Sequence, residues 1–114
     1  MKRLTWNAVC RVARQFPGIE ESTSYGTAAL KVRGKLLVRL REDGETLVVS
    51  TTFLDRDFLI NAEPKAFFLE EHYRNYPYVL TSLARIRPAR LSDLIEAAWR
   101  RAAPKRLVAS RTRG

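Results

Sequence analysis

The sequence predicts an α+β fold, a two-layer structure in which an antiparallel β-sheet carries its helices on one face. Residues 28–52 alternate apolar and polar side chains between turn signals, which is typical of a sheet with one buried face. Apolar residues near both ends of the chain recur at helical spacing. The chain has 114 residues, enough for one hydrophobic core and too few for two, so we expect one domain.

The first helix is predicted to begin after Thr5, a residue type that favours the N-cap position. The apolar residues that follow recur at i, i+3, i+4 and i+7 and share one helix face: Trp6, Val9, Cys10 and Ala13. Pro17-Gly18 ends this helix. Residues 18–27 are small and polar without a period, and they are predicted to form a loop.

The centre of the chain predicts an antiparallel meander of three strands. On the first strand Leu30 and Val32 alternate with basic residues, and Gly34-Lys35 predicts a type II′ turn. The second strand runs over residues 36–41, and the third follows a turn at residues 42–44. Alternation assigns one face of the second strand to the core, namely Leu36, Val38 and Leu40, and the other to solvent, namely Leu37, Arg39 and Arg41.

A short helix is predicted to start at an Asp55 N-cap and to run through Ala62, with Phe58, Leu59 and Ala62 facing the core. Residues 65–72 fit either a helical turn or a short edge strand, and both interpretations stay open. The segment 78–86 has the composition of a strand and is expected to return to the sheet.

The last helix follows from an apolar stripe that Pro104 ends: Leu91, Leu94, Ile95, Ala98, Trp99 and Ala102. Arg87 before Pro88 is a poor cap, so the helix either starts later, with Ser92 as its cap, or is held at Pro88 by packing. We predict a single domain over residues 1–107, followed by a basic, frayed tail over residues 108–114. The expected core contains ten residues: Trp6, Val9, Val32, Val38, Leu40, Leu47, Val49, Phe58, Ile95 and Trp99.

Composition excludes several classes of protein. The single cysteine, Cys10, cannot form an intramolecular disulfide, and no Cys/His cluster has metal-ligand spacing, so neither a metal nor another cofactor is expected. No stretch approaches the ~20 apolar residues of a membrane span, and a cytoplasmic protein without a membrane partner is expected. No nucleophile pairs identifiably with His72, so no catalytic residue is assigned and an enzyme is not expected.

The net charge of +9 is concentrated at the C-terminus, where residues 85–114 hold nine basic and two acidic side chains. Basic side chains in a stripe can follow phosphates, and the alternative is a solvated face that discourages aggregation. The candidate nucleic-acid contacts are Lys31, Arg33, Lys35, Arg39 and Arg41 in the first hairpin, and Arg100, Arg101, Lys105 and Arg106 near the C-terminus. Tyr73 and Tyr76 are candidates for stacking on bases, or else half-buried residues that close the core. The acidic turn at residues 42–45 would repel phosphates.

Three segments resemble the MmcQ/YjbR-like family: PGIEESTSYGTAALKVRGK (17–35), FFLEEHYRNYPYVL (67–80) and AAWRRAAPKRL (97–107). The similarity extends over nearly the whole chain. It implies an α+β fold with a sheet backed by helices, a double-wing arrangement and DNA as the partner. The chain departs from the family pattern at Arg87, where members commonly place an acidic cap before the proline.

We therefore expect a non-enzymatic DNA-binding domain of low sequence specificity that binds through its basic sheet face and hairpin. The alternative is a protein-interaction or small-ligand module that uses the uncovered sheet face or an aromatic cleft. The sequence does not distinguish DNA from RNA, and a monomer is the working expectation.

Overall fold

The computed structural model describes residues 3–113 and confirms the α+β class. Its four α-helices are α1 (Trp6–Ala13), α2 (Phe53–Ala62), α3 (Pro88–Ala102) and α4 (Lys105–Arg113). Its six strands are β1 (Ile19–Ser24), β2 (Thr27–Val32), β3 (Lys35–Leu40), β4 (Thr46–Ser50), β5 (Phe67–Phe68) and β6 (Tyr78–Ser82). All pairs are antiparallel, in the order β1-β2-β3-β4-β6-β5. The predicted domain and tail boundaries at residues 1–2 and 114 fall outside the described residues.

The predicted loop over residues 18–27 is wrong, because residues 19–24 form the edge strand β1. This strand pairs with β2 from Ile19 opposite Val32 to Ser24 opposite Thr27. An edge strand with most side chains exposed needs no apolar alternation, so its sequence shows none. Helix α1 agrees with its prediction, and the Thr5 side chain accepts a hydrogen bond from the Ala8 backbone N–H.

The turns that flank β2 place two bulky residues in the left-handed region. Arg33 and Gly34 both have positive φ, at 51° and 78°, so the β2–β3 turn is type I′ and not type II′. Tyr25 and Gly26 repeat this geometry between β1 and β2, with φ of 52° and 80°. Type I′ turns favour Asn, Asp or Gly at the first central position, so Tyr25 and Arg33 each occupy a strained position.

A β-bulge changes the predicted facing of strand β3. Leu30 pairs with Val38 and Lys31 pairs with Leu36, which leaves Leu37 as an extra residue on β3. Leu37 joins the hydrophobic core, and Leu36 lies on the opposite face of the sheet. The assignment of Leu36 to the core and Leu37 to solvent was therefore wrong. A bulge adds one residue to the strand and so shifts which side chains face the core.

All four α-helices pack on one face of the sheet and share its core with the inward side chains of the strands. The other face, called the helix-free face below, is not bare. Its Ala29, Val48 and Leu80 are buried as well, and a segment with a 3₁₀ turn over Glu71–Tyr73 lies beside them. The sheet is thus covered in part on both sides.

Three of the ten predicted core residues lie outside the fully buried set. Helix α2 begins after Thr52, whose side chain accepts from the Asp55 N–H, so the predicted Asp55 cap was wrong. Leu59 faces the core as predicted, whereas Phe58 is 62% exposed and Ala62 is exposed as well, so their inward placement was wrong. Trp6 and Leu40 are partly buried against the core. The other seven are buried, as predicted.

The C-terminal half settles the interpretations that the sequence left open. Phe67–Phe68 is an edge strand, and α3 starts at Pro88 without a side-chain cap. Arg90 binds the Glu63 carboxylate beside the start of α3. The tail is helical rather than frayed, because Leu107 and Val108 of α4 pack against the core. No helix of residues 3–113 is long and apolar enough to cross a membrane.

Trp99 of α3 is the largest fully buried side chain. Its Nε1 donates to the Pro17 carbonyl at 2.8 Å, and its ring lies 5.4 Å from that of Phe16. We predict that Trp99→Ala lowers the free energy of unfolding by about 3–5 kcal/mol, because it leaves a cavity and an unpaired carbonyl. Trp99→Phe keeps a ring in the core and should cost less. Urea denaturation measures both, and an unchanged midpoint for the alanine variant would contradict this packing.

Candidate nucleic-acid interface

The end of β2, just before the β2–β3 hairpin tip, and the first turn of α4 both approach Gly18, although some seventy residues separate them in sequence. Gly18 lies between them. A side chain at Gly18 would begin 2.8 Å from Leu107 Cδ1 of α4 and 3.4 Å from Val32 Cγ2 of β2. With φ of +83°, glycine satisfies both the backbone conformation and this close approach. The contact brings two of the predicted basic segments to one end of the molecule.

We call five side chains at this end the cationic end: Lys31, Arg33, Lys35, Lys105 and Arg106. All are exposed except Lys31, which is half-buried. No carboxylate of residues 3–111 lies within 4 Å of any of the five basic groups. Glu20 of β1 lies opposite Lys31 in the strand register. The positive charge at this end is therefore available to a ligand.

The start of α4 adds to this potential. Lys105 and Arg106 lie in its first turn, at the positive end of the helix dipole. Cations there lower helix stability, whereas an anion there is favoured. The arrangement is costly for the free protein and favourable for a bound phosphate.

The other four predicted contacts already have partners within the protein. The buried Arg39 donates to Thr27 Oγ1 at 2.9 Å, and Arg41 binds the Glu70 carboxylate at 3.0 Å. The hydrogen bond to Glu70 raises the pKa of Arg41 above its usual value. Arg100 binds Glu96 at 2.8 Å, and Arg101 donates to the Ser50 carbonyl at 3.0 Å. Burial lowers the pKa of Arg101. The guanidinium groups of these four side chains are thus engaged in contacts within the protein.

The predicted basic residues also do not share one face. Lys31 and Arg39 lie on the helix-free face, as expected from the alternation. Lys35 pairs with Val32, whose side chain is in the core, so its register places Lys35 on the helix side. Arg33 occupies the turn between them. The cationic end is a rim around the hairpin tip rather than a stripe along one face.

The acidic turn at residues 42–45 lies beyond the far end of β3, a strand whose six residues extend about 17 Å from Lys35. Two of its carboxylates are used locally: Glu45 binds Arg3 at 2.7 Å, and Asp43 accepts from the Glu45 and Thr46 N–H groups. Burial tends to raise the pKa of Asp43, but these hydrogen bonds outweigh it and hold the pKa below its usual value. The acidic turn and the cationic end therefore lie at opposite ends of strand β3.

A cleft of about 480 Å³ opens on the helix-free face and is called the aromatic cleft below. Its lining residues are Tyr25, Leu36, Arg39, Glu42, Val48, His72, Tyr73, Tyr76 and Tyr78. Both predicted stacking residues belong to it: Tyr76 is 55% exposed, whereas Tyr73 is half-buried. Tyr25, which is 86% exposed, was missed by the sequence analysis. The signal was an aromatic residue directly before a turn glycine.

Arg39 joins the walls of the aromatic cleft. Besides Thr27 on β2, its guanidinium donates to Tyr73 Oη at 3.2 Å and lies 3.6 Å from the Glu42 carboxylate. It also lies 5.4 Å from the centre of the Tyr25 ring, within cation–π range. One buried charge therefore contacts β2, the β3–β4 turn and the 3₁₀ segment.

Arg56 of α2 fixes the remaining wall and was also missed by the sequence analysis. Its guanidinium is buried and donates to the carbonyls of Tyr76 at 2.8 Å, Arg74 at 3.1 Å and Tyr73 at 3.2 Å. The Phe53 ring lies 4.9 Å from the same group. These bonds hold a segment with little regular structure of its own. Among residues 3–113, no group of three or more His, Cys, Asp or Glu is arranged to hold a metal ion.

Residues 14–101 match the family model YjbR, which covers most of the chain. The chain belongs to the YjbR family. This confirms the resemblance drawn from the sequence. The fold is also similar to the crystal structure of Deinococcus radiodurans protein DR2400, which has the DUF419 domain, at a TM-score of 0.73 and 15% identity over 95% of this chain and 88% of that one. At that identity the likeness shows the fold alone.

Uncharacterized proteins of Mycobacterium bovis and Mycobacterium tuberculosis are 46% identical to this YjbR-family chain over 50 residues. The match covers 44% of this chain and 39% of each relative. The chain therefore spans about two fifths of the length of the curated relatives that it matches.

We predict that Arg56→Met lowers the free energy of unfolding by about 2–4 kcal/mol, because charge-assisted hydrogen bonds to several carbonyls are lost. Amide hydrogen exchange should accelerate most in residues 71–77. Arg74→Met, at an exposed side chain of the same segment, is the matched control and should change stability little. Unchanged exchange in residues 71–77 of the Arg56 variant would show that Arg56 does not hold this wall.

Proposed function

We propose that this YjbR-family chain is a non-enzymatic nucleic-acid-binding domain that contacts phosphates through the cationic end. The observation that carries the proposal is the close approach, at Gly18, of Leu107 in α4 and Val32, the last residue of β2 before the hairpin tip. It joins cations from distant parts of the sequence, and these cations lack carboxylate partners among residues 3–111. Such side chains bind phosphates and release counterions from the nucleic acid.

Low sequence specificity follows from the type of contact. Lysine and arginine side chains on phosphates position a nucleic acid but carry no sequence information. The hairpin tip is a two-residue turn, and its strained residue Arg33 presents one guanidinium. Phosphates occur in both DNA and RNA, and DNA is the partner implied by the family resemblance.

A second candidate function is supported by the aromatic cleft. Its volume of about 480 Å³ falls in the range of small-molecule sites, and its lining combines rings with a few polar groups. A small-ligand or peptide-binding module would use this cleft without any contribution from Lys105 and Arg106. Failure of all oligonucleotide binding would favour this second function.

The proposal is tested by titrating a fluorescein-labelled duplex at ~50 and ~200 mM salt. If all five cations contact phosphates, the logarithm of affinity should fall against the logarithm of salt with a slope of about −4.5. Replacing Lys31, Arg33 and Lys35 by Gln should make the slope shallower by about 2.7 and weaken binding about equally for all sequences.

The matched control replaces Lys65, Arg85 and Arg87 by Gln, which removes the same charge from exposed positions elsewhere. Its salt slope should stay that of the unmodified protein. Equal slopes for the two triple variants would show that net charge, and not the cationic end, drives binding. Absence of binding by the unmodified protein at ~50 mM salt would contradict the proposed function.

Arg33 offers a separate test, because it occupies a strained position where Asn is favoured. We predict that Arg33→Asn raises the melting temperature, since Asn-Gly suits a type I′ turn, while it weakens duplex binding several-fold. Thermal denaturation and the same titration measure the two effects. If the variant gains stability and keeps full affinity for the duplex, Arg33 does not contact the nucleic acid.

A further inference from the structure

Two tyrosine rings stand exposed in the walls of the aromatic cleft. Tyr25 comes from the β1–β2 turn and Tyr76 from the segment after the 3₁₀ turn, and they are 86% and 55% exposed. Side chains of the sheet, including Val48 and Leu36, line the same cleft. Exposed rings beside apolar side chains suit a flat, aromatic ligand.

The backbone of Tyr25 supports a role in binding rather than in folding. A bulky residue at φ of 52° is disfavoured, and its ring gains almost no burial in return. The ring does contact the Arg39 guanidinium, at 5.4 Å. Strain that is retained at an exposed, oriented side chain is typical of functional sites.

The aromatic cleft meets the cationic end at Lys31. Lys31 pairs directly with Leu36, so both side chains lie on the helix-free face and Leu36 lines the cleft. The Arg33 turn follows two residues further on. A chain whose phosphates lie on Lys31 and Arg33 therefore has the cleft beside it on the same face.

From this juxtaposition we infer that the aromatic cleft binds one unpaired base of a single-stranded nucleic acid while its phosphates contact Lys31 and Arg33. The inference rests on the proposed function and adds a substrate class to it. Stacking on tyrosine needs no particular base, because every base has a π-face. A base in a duplex is paired and stacked and reaches such a cleft only after it is flipped out.

The polar groups of the cleft suit this ligand. The Glu42 carboxylate is exposed at the rim and accepts hydrogen bonds, as base amino groups require. His72 lies against Tyr73, with ring centres 4.9 Å apart, and offers a second polar edge. Arg39 is already bound to Thr27 and Tyr73, so it orients the walls as a positioning residue.

The test compares two single strands of equal length, one of oligothymidine and one with abasic sites in place of every base. Both carry the same phosphates, so a purely ionic site binds them equally. The inference expects the strand with bases to bind on the order of tenfold more tightly, as one stacked base provides. Substituting both Tyr25→Ala and Tyr76→Ala should remove this difference and leave the affinity for the abasic strand and its salt slope unchanged.

Phe58→Ala is the matched control, because Phe58 is an aromatic side chain of similar exposure on α2. It should keep the full preference for bases. Tyr25→Phe should also keep it, since the ring remains. Tyr25→Asn should raise the melting temperature and lose most of the preference, which separates a role in binding from a role in folding.

Three outcomes are distinguishable. Equal, salt-dependent affinity for the two strands overturns the inference and leaves the proposed function standing. A preference for bases that survives the double tyrosine substitution overturns the inference in the same way. Absence of binding to either strand or to duplex at ~50 mM salt overturns the proposed function and the inference with it.

Discussion

The guanidinium of Arg39 lies on a sheet face that no helix covers, and a buried guanidinium is stable only when its donors are bound. Thr27 and Tyr73 accept hydrogen bonds from it, the Glu42 carboxylate lies 3.6 Å away, and these three residues belong to different parts of the chain. These contacts of Arg39 hold the 3₁₀ segment and the β3–β4 turn beside the centre of the helix-free face. The aromatic cleft is the space that these contacts leave open.

Charge composition alone overstates the positive surface of this protein. Arg39 and Arg56 are buried and hold backbone and side-chain oxygens. Arg41 and Arg100 are neutralised by carboxylates. The charge available to a ligand is therefore set by topology, through the contact at Gly18, and not by the net charge of +9.

The helices that the sequence predicted well are those that bury one face. Helix α1 and the stripe of α3 each carry an apolar period that a helix satisfies. Strands β2 and β4 were predicted from their composition and the turn residues around them, although β4 is buried on both faces. The edge strand β1 was not predicted, because few of its side chains are buried and its sequence has no apolar period. The bulge at Leu37 could not be read from the sequence, since three consecutive apolar residues fit either register.

The candidate site was predictable only in part, because it depends on contacts between distant segments. The cations of the hairpin tip and of α4 were identified from charge, but only the fold shows that they lie together. Arg39 is buried and therefore does not belong to the cationic end. No local sequence pattern identifies an arginine that will be buried. Tyr25 was overlooked because its segment was interpreted as a loop.

Amide chemical-shift mapping with an unlabelled oligothymidine strand tests the account most directly. It predicts that the largest shifts fall at residues 31–36 and 105–108 and at Tyr25 and residues 72–78. Phe58 of α2, whose exposed ring lines a different pocket from the aromatic cleft, should change least. Largest shifts in α2, with the hairpin tip and α4 unaffected, would contradict the account.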